Sequence, residues 1–414
     1  MEQCKLNHNA LNPRYVDVLD GIRAAAILLI VWFHIWQQSW LMPVIRLPFL
    51  TRLGLPATIS FDCLPRSGFL FVDMMLLISA FCLFLPHARS VFCGEEPPKA
   101  LSFYKKRIVR IVPPYYLSVL VIFFCFALPS GTYVSAKWMW TDLLSTLTFT
   151  QTFIPGVLLG TSLNGVLWTA AVEMQFYLLF PLLAYCFRRK PILTYLGMVS
   201  VSMVYLQLFA LSDIEGLRVT LNQLPGFLGV FANGMLAAYG YVWLTTKTKR
   251  TKWLSTVSTL VAFGCIWFIV YMIKDVSSIS TVQFWQASHR YVQSVVFTLF
   301  LLSSAFAARW YRFVFHNRAA VFLAAISYNL YIWHQWLAVK LKAWHIPYWS
   351  GEQAPNFTGD HVWQMQYTFI AFVGGLLLAT LLTYCFEIPV TTLLLRRIQP
   401  TRKGLNHATP IQDK

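Results

Sequence analysis

The chain has 414 residues, of which 57% are hydrophobic and 12% are charged, and its mean hydropathy is +0.57. So few charged residues cannot cover the surface of a soluble protein, and the composition therefore predicts a polytopic membrane protein. The net charge of +17 does not indicate nucleic-acid binding, because most of the charge lies in short segments between apolar runs rather than on one exposed basic face.

Ten apolar segments are each about 20 residues long, the length that an α-helix needs to cross the hydrocarbon core of a bilayer. None shows the alternating polarity of a membrane β-strand, so the predicted fold class is all-α. The polar start of the chain does not resemble a cleavable signal peptide, and we expect the first span to be retained. The predicted spans are residues 20–40, 68–86, 111–129, 166–187, 192–211, 224–244, 253–273, 290–309, 320–342 and 366–387.

Most Lys and Arg residues outside the spans fall in alternate connections, beginning with the N-terminus. Cytoplasmic loops carry such an excess, so both termini are predicted to be cytoplasmic. Residues 1–398 are predicted to form one transmembrane domain and residues 399–414 a disordered cytoplasmic tail. The eight cysteines are scattered without a CxxC pair, so we expect neither a disulfide framework nor a metal site.

His34, Glu173 and His334 fall at similar predicted depths, in the outer half of the bilayer, when each helix rises about 1.5 Å per residue. A charged group in hydrocarbon costs about 2.5 to 3.5 kcal/mol on insertion scales, so such groups persist mainly inside a bundle or beside a water-filled cavity. A buried polar site is therefore predicted there, with His34 and Glu173 as the catalytic candidates. Asp73, near the outer end of the second span, is expected to be solvated instead.

Each of these residues also has a purely structural interpretation. His34 could hydrogen-bond between helices without any catalytic role. His334 lies beside two tryptophans and could belong to the aromatic belt at the membrane interface. Tyr177 lies one helical turn after Glu173 and within reach of its carboxylate, although a core tyrosine is an equally good interpretation.

The segment of residues 102–116, SFYKKRIVRIVPPYY, carries Arg107 and Arg110 three residues apart. Guanidinium groups bind phosphate through paired hydrogen bonds, which favours a phosphate-binding site. The alternative is topological, because basic residues beside a span also hold it against anionic lipid. The sequence has no GxGxxG or GxxxxGKS loop, so an ordinary nucleotide-binding fold is not indicated.

Five segments, in chain order, resemble the membrane acyltransferase 3 family, which includes bacterial O-acetyltransferases. In the first, Arg23 and His34 have the R-x10-H spacing of that family. The chain departs from the family pattern at Ala80, where glycine is usual, and at Ala171, where serine is usual. No hydrolase-like domain is expected after the last span. The matching segments are LDGIRAAAILLIVWFH, FYKKRIVRIVPPYYL, LWTAAVEMQFYLLFPLL, SYNLYIWHQWL and FEIP.

The resemblance implies a membrane O-acyltransferase with an acyl-CoA donor, expected to be acetyl-CoA, on the cytoplasmic side. The implied acceptor is a hydroxyl group of an extracytoplasmic or lipid-linked glycan. Membrane lipids are the other expected partners, the cell membrane is the expected location, and neither a metal cofactor nor nucleic acid is expected.

The resemblance also implies roles for individual residues. His34 would be the general base, and Glu173 would orient it or stabilise its charge. Phosphates of the donor would contact Arg107, Arg110 and Arg23. The supporting site residues would be Arg23, Asp20, Tyr177, Tyr328 and His334, and a tyrosine or His334 among them could donate to the developing oxyanion.

Two other classes of function remain open at this point. A transporter or flippase for a glycan or small exported molecule would also bury charged groups, but repeated halves or paired broken helices would be typical of it, and the sequence shows none. A membrane-embedded sensor or scaffold would need no site, and it predicts that His34 and Glu173 tolerate substitution.

Overall fold

The computed structural model describes residues 16–54, 56–209 and 214–398. In this part of the chain the strands form one antiparallel pair, β1 (Val44–Arg46) and β2 (Thr58–Ser60). The ten longest helices are α1 (Leu19–Ser39), α2 (Phe71–Phe92), α3 (Ala100–Ile122), α4 (Trp168–Arg189), α5 (Pro191–Phe209), α6 (Leu224–Lys247), α7 (Lys252–Ser277), α8 (Val282–Phe306), α9 (Arg318–Ala343) and α10 (His361–Leu382).

Shorter elements connect these helices. The short α-helices are Cys63–Arg66, Ala136–Leu147, Pro155–Gly160, Ile214–Leu221, Arg309–Phe315, Pro355–Thr358 and Ile388–Ile398. The 3-10 helices are Pro48–Leu53, Gly68–Leu70, Gln151–Phe153 and Gly165–Leu167. Two π-helical turns, Phe123–Ala127 and Thr383–Glu387, follow α3 and α10.

Every predicted span overlaps one of the ten long helices, so the all-α prediction is confirmed. In the described ranges, eight helices are long and apolar enough to cross a membrane, or nine if α8 is joined to the helix that follows it at a 120° bend. The polar residues Asn329, His334 and Gln335 make α9 less apolar than these. Ten spans and two cytoplasmic termini stay predictions, and the predicted tail, residues 399–414, lies outside the described residues.

Helix α1 lies between three other long helices, α2, α9 and α10. Its buried side chains Ile27, Val31 and Ile35 share one apolar cluster with side chains of α9 and α10. These residues recur every four positions, so they form one stripe along the helix. The packing of this stripe fixes which side of α1 faces α9, and it thereby sets the position of His34.

A second group of helices is centred on α6, which packs against α2, α5 and α8. Gly234 of α6 lies so close to α2 that a Cβ atom there would be 2.4 Å from the carbonyl oxygen of Leu77. Phe176 of α4 stacks on Phe231 of α6, with the ring centroids 3.8 Å apart. These contacts hold α2 and α4, which carry one part of the candidate site, on a common support.

Asp73 lies near the start of α2 and is 6% exposed. Its carboxylate pairs with the guanidinium of Arg290 on α8, with Asp73 Oδ2 and Arg290 Nε 3.4 Å apart. The prediction that Asp73 is solvated is therefore wrong. A buried charge needs a partner, and the sequence does not show that α8 supplies one.

The connection between α3 and α4 folds around the fully buried carboxylate of Asp142. It accepts hydrogen bonds from Thr161 Oγ1 at 2.7 Å, from the Ser162 backbone at 3.0 Å and from Tyr133 at 3.1 Å. Burial raises the pKa of Asp142, and these bonds oppose that shift. The connection leads directly into α4, so it sets where the first turns of α4 lie.

Candidate active site

The imidazoles of His34 on α1 and His334 on α9 are in direct contact. Nε2 of His334 lies 3.0 Å from Nδ1 of His34, and the ring centroids are 4.9 Å apart. His334 is 3% exposed. The sequence placed both residues at one depth, and the packing of α1 against α9 brings them together as a histidine pair.

The backbone around the histidine pair selects the tautomer of each ring. Nδ1 of His334 lies 3.0 Å from the carbonyl oxygen of Leu330 and 2.8 Å from that of Tyr331, so this nitrogen carries the proton and Nε2 accepts. Nδ1 of His34 lies 3.0 Å from the carbonyl oxygen of Ile30 and faces the accepting Nε2 of His334, so it donates. In the neutral pair, Nε2 of His34 therefore keeps a free lone pair.

Glu173 lies in a separate polar cluster that joins α2 and α4. Its Oε1 accepts hydrogen bonds from the hydroxyls of Ser79 and Tyr177. The contact between Tyr177 and Glu173 has the i, i+4 spacing that the sequence indicated. Within the described residues, no hydrogen bond joins Glu173 to His34, whose ring is held by Ile30 and His334 instead.

Side chains of α4 and α9 connect the Glu173 cluster with the histidine pair. Thr169, one turn before Glu173, donates a hydrogen bond to the Tyr331 hydroxyl at 2.8 Å. The Tyr331 ring lies 5.7 Å from the His334 ring, and Glu173 is within electrostatic range of Tyr331. A run of two polar side chains, Thr169 and Tyr331, therefore lies between Glu173 and the histidine pair.

The three arginines singled out in the sequence lie close together as an arginine cluster. Arg110 is within electrostatic range of both Arg23 and Arg107, and also of Tyr177. The Arg107 guanidinium lies 5.8 Å from the centre of the Tyr177 ring, and Arg23 Nη2 lies 3.8 Å from the sulfur of Cys82. Within the described ranges, no carboxylate lies within 4.0 Å of any of the three guanidinium groups.

The remaining predicted residues lie around these groups. Asp20 is within electrostatic range of Arg23 at the start of α1. Tyr328 donates a hydrogen bond to the carbonyl oxygen of Ile111 at 3.0 Å. The tyrosines proposed as oxyanion donors are thus already engaged, because the Tyr177 hydroxyl likewise donates to Glu173.

Several participants were not predicted from the sequence. Ser79 was not singled out, although it lies next to Ala80, where the sequence was compared with the family pattern. Asn329 of α9 donates to Thr383 at 2.9 Å and to Glu387 at 2.6 Å, next to the π-helical turn. Glu387 could have been singled out, because it belongs to the FEIP segment that resembles the family. Its charge lies within electrostatic range of Arg110. In the described chain, no group of three or more His, Cys, Asp or Glu side chains is placed to hold a metal ion.

Comparison with known proteins identifies the family of the chain. The sequence model of the acyltransferase domain matches residues 16–388. A candidate acetyltransferase of Acidianus two-tailed virus is 24% identical over 334 residues, which cover 80% of this chain and 86% of the viral protein. The O-acetyltransferase OatA of Staphylococcus aureus strain NCTC 8325 is 24% identical over 356 residues, covering 81% of this chain and 52% of OatA.

A candidate O-acetyltransferase of Staphylococcus aureus strain COL is 24% identical over 348 residues, covering 78% of this chain and 50% of that protein. The chain thus spans about half the length of these Staphylococcus relatives. No solved structure matches the chain. Because the domain model covers most of the sequence, the chain belongs to the membrane acyltransferase 3 family, as the sequence resemblance predicted, and is a multi-pass membrane enzyme that transfers acyl groups.

Proposed function

We propose that the protein transfers an acetyl group from cytoplasmic acetyl-CoA to a hydroxyl of an extracytoplasmic or lipid-linked glycan, in the cell membrane. One observation carries this proposal. The arginine cluster lies at one end of a run of polar side chains, and the free Nε2 of His34 lies at the other. The names of the relatives, acetyltransferase and O-acetyltransferase, support acetyl as the group and oxygen as its acceptor.

Binding of the donor is assigned to the arginine cluster. The three guanidinium groups are half-buried and have no carboxylate partner within the described ranges, which favours an anionic ligand. The phosphates of CoA are anions that arginine binds well. Arg23 and His34 are eleven residues apart on α1, which is about 16 Å along the helix axis. An extended pantetheine arm spans that distance. A donor bound at the arginines therefore brings its thioester to His34, and no protein group has to carry the acyl group across.

The chemistry is assigned to Nε2 of His34. This nitrogen takes the proton of the acceptor hydroxyl while the oxygen attacks the thioester carbonyl. The carbon–sulfur bond then breaks, and the CoA thiolate takes up the proton from the imidazolium. Throughout, Nδ1–H of His34 keeps two acceptors, the Ile30 carbonyl and His334 Nε2, and both stabilise the positive ring.

In this scheme His334, rather than Glu173, orients the base. A base-orienting group must contact the imidazole, and the contact of His34 is with His334. Glu173 is instead proposed to hold the Ser79 and Tyr177 hydroxyls where the donor passes from the arginine cluster toward His34. Its negative charge also offsets the positive charge of that cluster.

The direct test is replacement of His34 by alanine in cells that lack the chromosomal copy. Mass spectrometry of surface glycans and small exported molecules should show an O-acetyl group that the wild-type protein restores and His34→Ala does not. A matched control is His361→Ala, because His361 is exposed at the start of α10. Acylation that persists unchanged in His34→Ala, at equal protein abundance, contradicts the proposal.

A further inference from the structure

A cavity lies beside the arginine cluster, between α2, α3 and α4. It has a volume of about 160 Å³, and its walls are Pro residues and the side chains of His87, Ala100, Phe103, Phe180, Tyr185 and Arg188. We call it the α2–α4 cleft. It lies toward the ends of α2 and α4 and the start of α3, which the predicted topology places on the cytoplasmic side.

Two buried nitrogen atoms in the α2–α4 cleft have no hydrogen-bond partner among the described residues, namely Nδ1 of His87 and Nε of Arg188. His87 is 8% exposed. The guanidinium of Arg188 makes one long contact, from Nη1 to Ser90 Oγ at 3.5 Å. Buried polar groups are nearly always satisfied, so this pair indicates a ligand that supplies a polar atom for the imidazole and an acceptor for the guanidinium.

The α2–α4 cleft borders the proposed donor path through the shared side chain of Phe103. Phe103 forms part of its wall, and the guanidinium of Arg107 lies 5.9 Å from the centre of the Phe103 ring. The same ring lies 6.0 Å from the ring of Tyr177, whose hydroxyl donates to Glu173. A ligand held by the arginine cluster therefore passes next to this cleft.

We propose that the α2–α4 cleft binds the adenosine 3′-phosphate end of the acyl-CoA donor, an assignment that rests on the proposed function. The cleft is smaller than the roughly 300 Å³ of typical sites for whole drug-sized ligands, so it accommodates one ring system rather than the complete coenzyme. Tyr185 is 48% exposed and offers a flat face for stacking of the purine, with Phe103 in the cleft wall beside it. His87 Nδ1 bonds the ring or ribose, and Arg188 binds the phosphate.

The first test fills the cleft. Ala100→Trp places an indole in the space of the purine, and Leu101→Trp is the matched control, because Leu101 is the next residue, is 66% exposed and is not part of the cleft wall. The full-length protein in nanodiscs is assayed with acetyl-CoA and with acetyl-phosphopantetheine, which lacks the nucleoside. Ala100→Trp should raise KM for acetyl-CoA by about tenfold, in line with the loss of one stacked base, and leave KM for acetyl-phosphopantetheine unchanged.

The second test concerns the phosphate. Arg188→Gln should raise KM for acetyl-CoA by about tenfold, the loss of one charge-assisted contact, and leave KM for acetyl-3′-dephospho-CoA unchanged. Lys190→Gln, with an exposed cationic side chain two residues along, should affect neither substrate.

The outcomes separate the two proposals. If the wild-type protein turns over neither donor, the proposed function fails and the cleft assignment fails with it. Suppose that the wild type uses both acetyl-CoA and acetyl-phosphopantetheine. If Ala100→Trp then raises both KM values by the same factor, or leaves both unchanged, the cleft assignment alone is wrong. The cleft assignment is also wrong if Ala100→Trp loses a co-purifying phospholipid while its KM for acetyl-CoA stays unchanged, because the cleft then holds lipid.

Discussion

At the scale of single residues, the proposed catalysis depends on how His34 is held. Its Nδ1 proton has two acceptors, and one of them is the Nε2 atom of His334. The other is a backbone carbonyl of the same helix, which alone leaves the imidazole free to tilt. His334 is therefore proposed to position His34, and its contribution should be separable from donor binding.

We expect His334→Ala to lower kcat by about tenfold to a hundredfold while KM for acetyl-CoA changes little, because proton transfer by a well-placed base contributes about 10²- to 10⁴-fold and a misplaced base retains part of this. Steady-state kinetics of the purified protein measure the two constants, with His361→Ala as the control. An unchanged kcat, or a rise in KM that accounts for the whole loss, contradicts a positioning role.

The arginine cluster gives a complementary expectation. Arg107→Ala removes a guanidinium that has no carboxylate partner in the described structure, so acyl-CoA should bind more weakly by about tenfold while protein abundance stays near wild type. Lys105→Ala is the control, since Lys105 is an exposed basic residue on the same helix. Equal loss of binding and abundance would support a purely topological role for Arg107.

The sequence predicted the depth of the site residues but not their pairing. Depth follows from counting residues along a helix, whereas contact depends on the rotation of each helix about its axis and on which helices are neighbours. The sequence therefore placed His34, Glu173 and His334 at one level, and only the packing shows that His34 contacts His334 while Glu173 contacts α2. The prediction for Asp73 was wrong for the same reason, because its partner lies on α8.

At the scale of helices, the support of the site depends on close packing of α2 against α6. A methyl group at Gly234 would lie 2.4 Å from the backbone of α2 and 2.8 Å from the Cβ atom of Ala80. Gly264, in the middle of α7, has nothing within 4 Å of such a group. The two glycines therefore provide a matched pair.

Gly234→Ala should destabilise the protein by about 1 to 3 kcal/mol, the usual cost of forcing extra volume into a packed core. Gly264→Ala should be neutral or stabilising by up to about 1 kcal/mol, because alanine favours a helix over glycine. Thermal unfolding in detergent, followed by tryptophan fluorescence, compares the two variants. Similar midpoints for both would show that α2 and α6 are not packed as described.

Asp142, in the connection before α4, should make the free energy of unfolding depend on pH. Burial raises the pKa of Asp142 above its ordinary 3.8, so the folded protein holds this proton at pH values where the unfolded chain has lost it. The contribution of Asp142 to the free energy of unfolding therefore falls as the pH rises above 3.8 through the raised pKa. When thermal unfolding midpoints are measured at pH values from 3.8 upward, Asp142→Asn should lack this decline. Glu352→Gln, a control at an exposed position, should retain it. Parallel curves for wild type and Asp142→Asn would contradict the assignment.

Helix positions were predictable from the sequence because apolar runs of membrane length are long and distinct. The structured connection of residues 133–167 was not, since its short helices are held by the Asp142 carboxylate rather than by a periodic pattern. Helix α9 shows where recognition of a span by its apolar composition becomes less certain. This helix carries residues of the site, and they make it less apolar than its neighbours.

At the scale of the whole molecule, Arg23 of the arginine cluster and the proposed base His34 lie at different depths along α1. The order of the five family segments in the sequence predicted the family, and the match over residues 16–388 confirmed it. Neither the order nor the match fixes the direction of transfer. In the proposal, direction follows from the side on which the arginine cluster admits the donor and the side on which His34 meets the acceptor.

The central claim, that His34 is the base in acyl transfer from acetyl-CoA, can be tested by one measurement. Release of the CoA thiol is followed with the purified protein in nanodiscs, supplied with acetyl-CoA and a total glycan extract, for the wild type and His34→Ala at equal donor occupancy. If His34 is the base, thiol release should fall by about 10²-fold or more in His34→Ala, while acetyl-CoA still binds at the arginines. Thiol release at the wild-type rate in His34→Ala would contradict it.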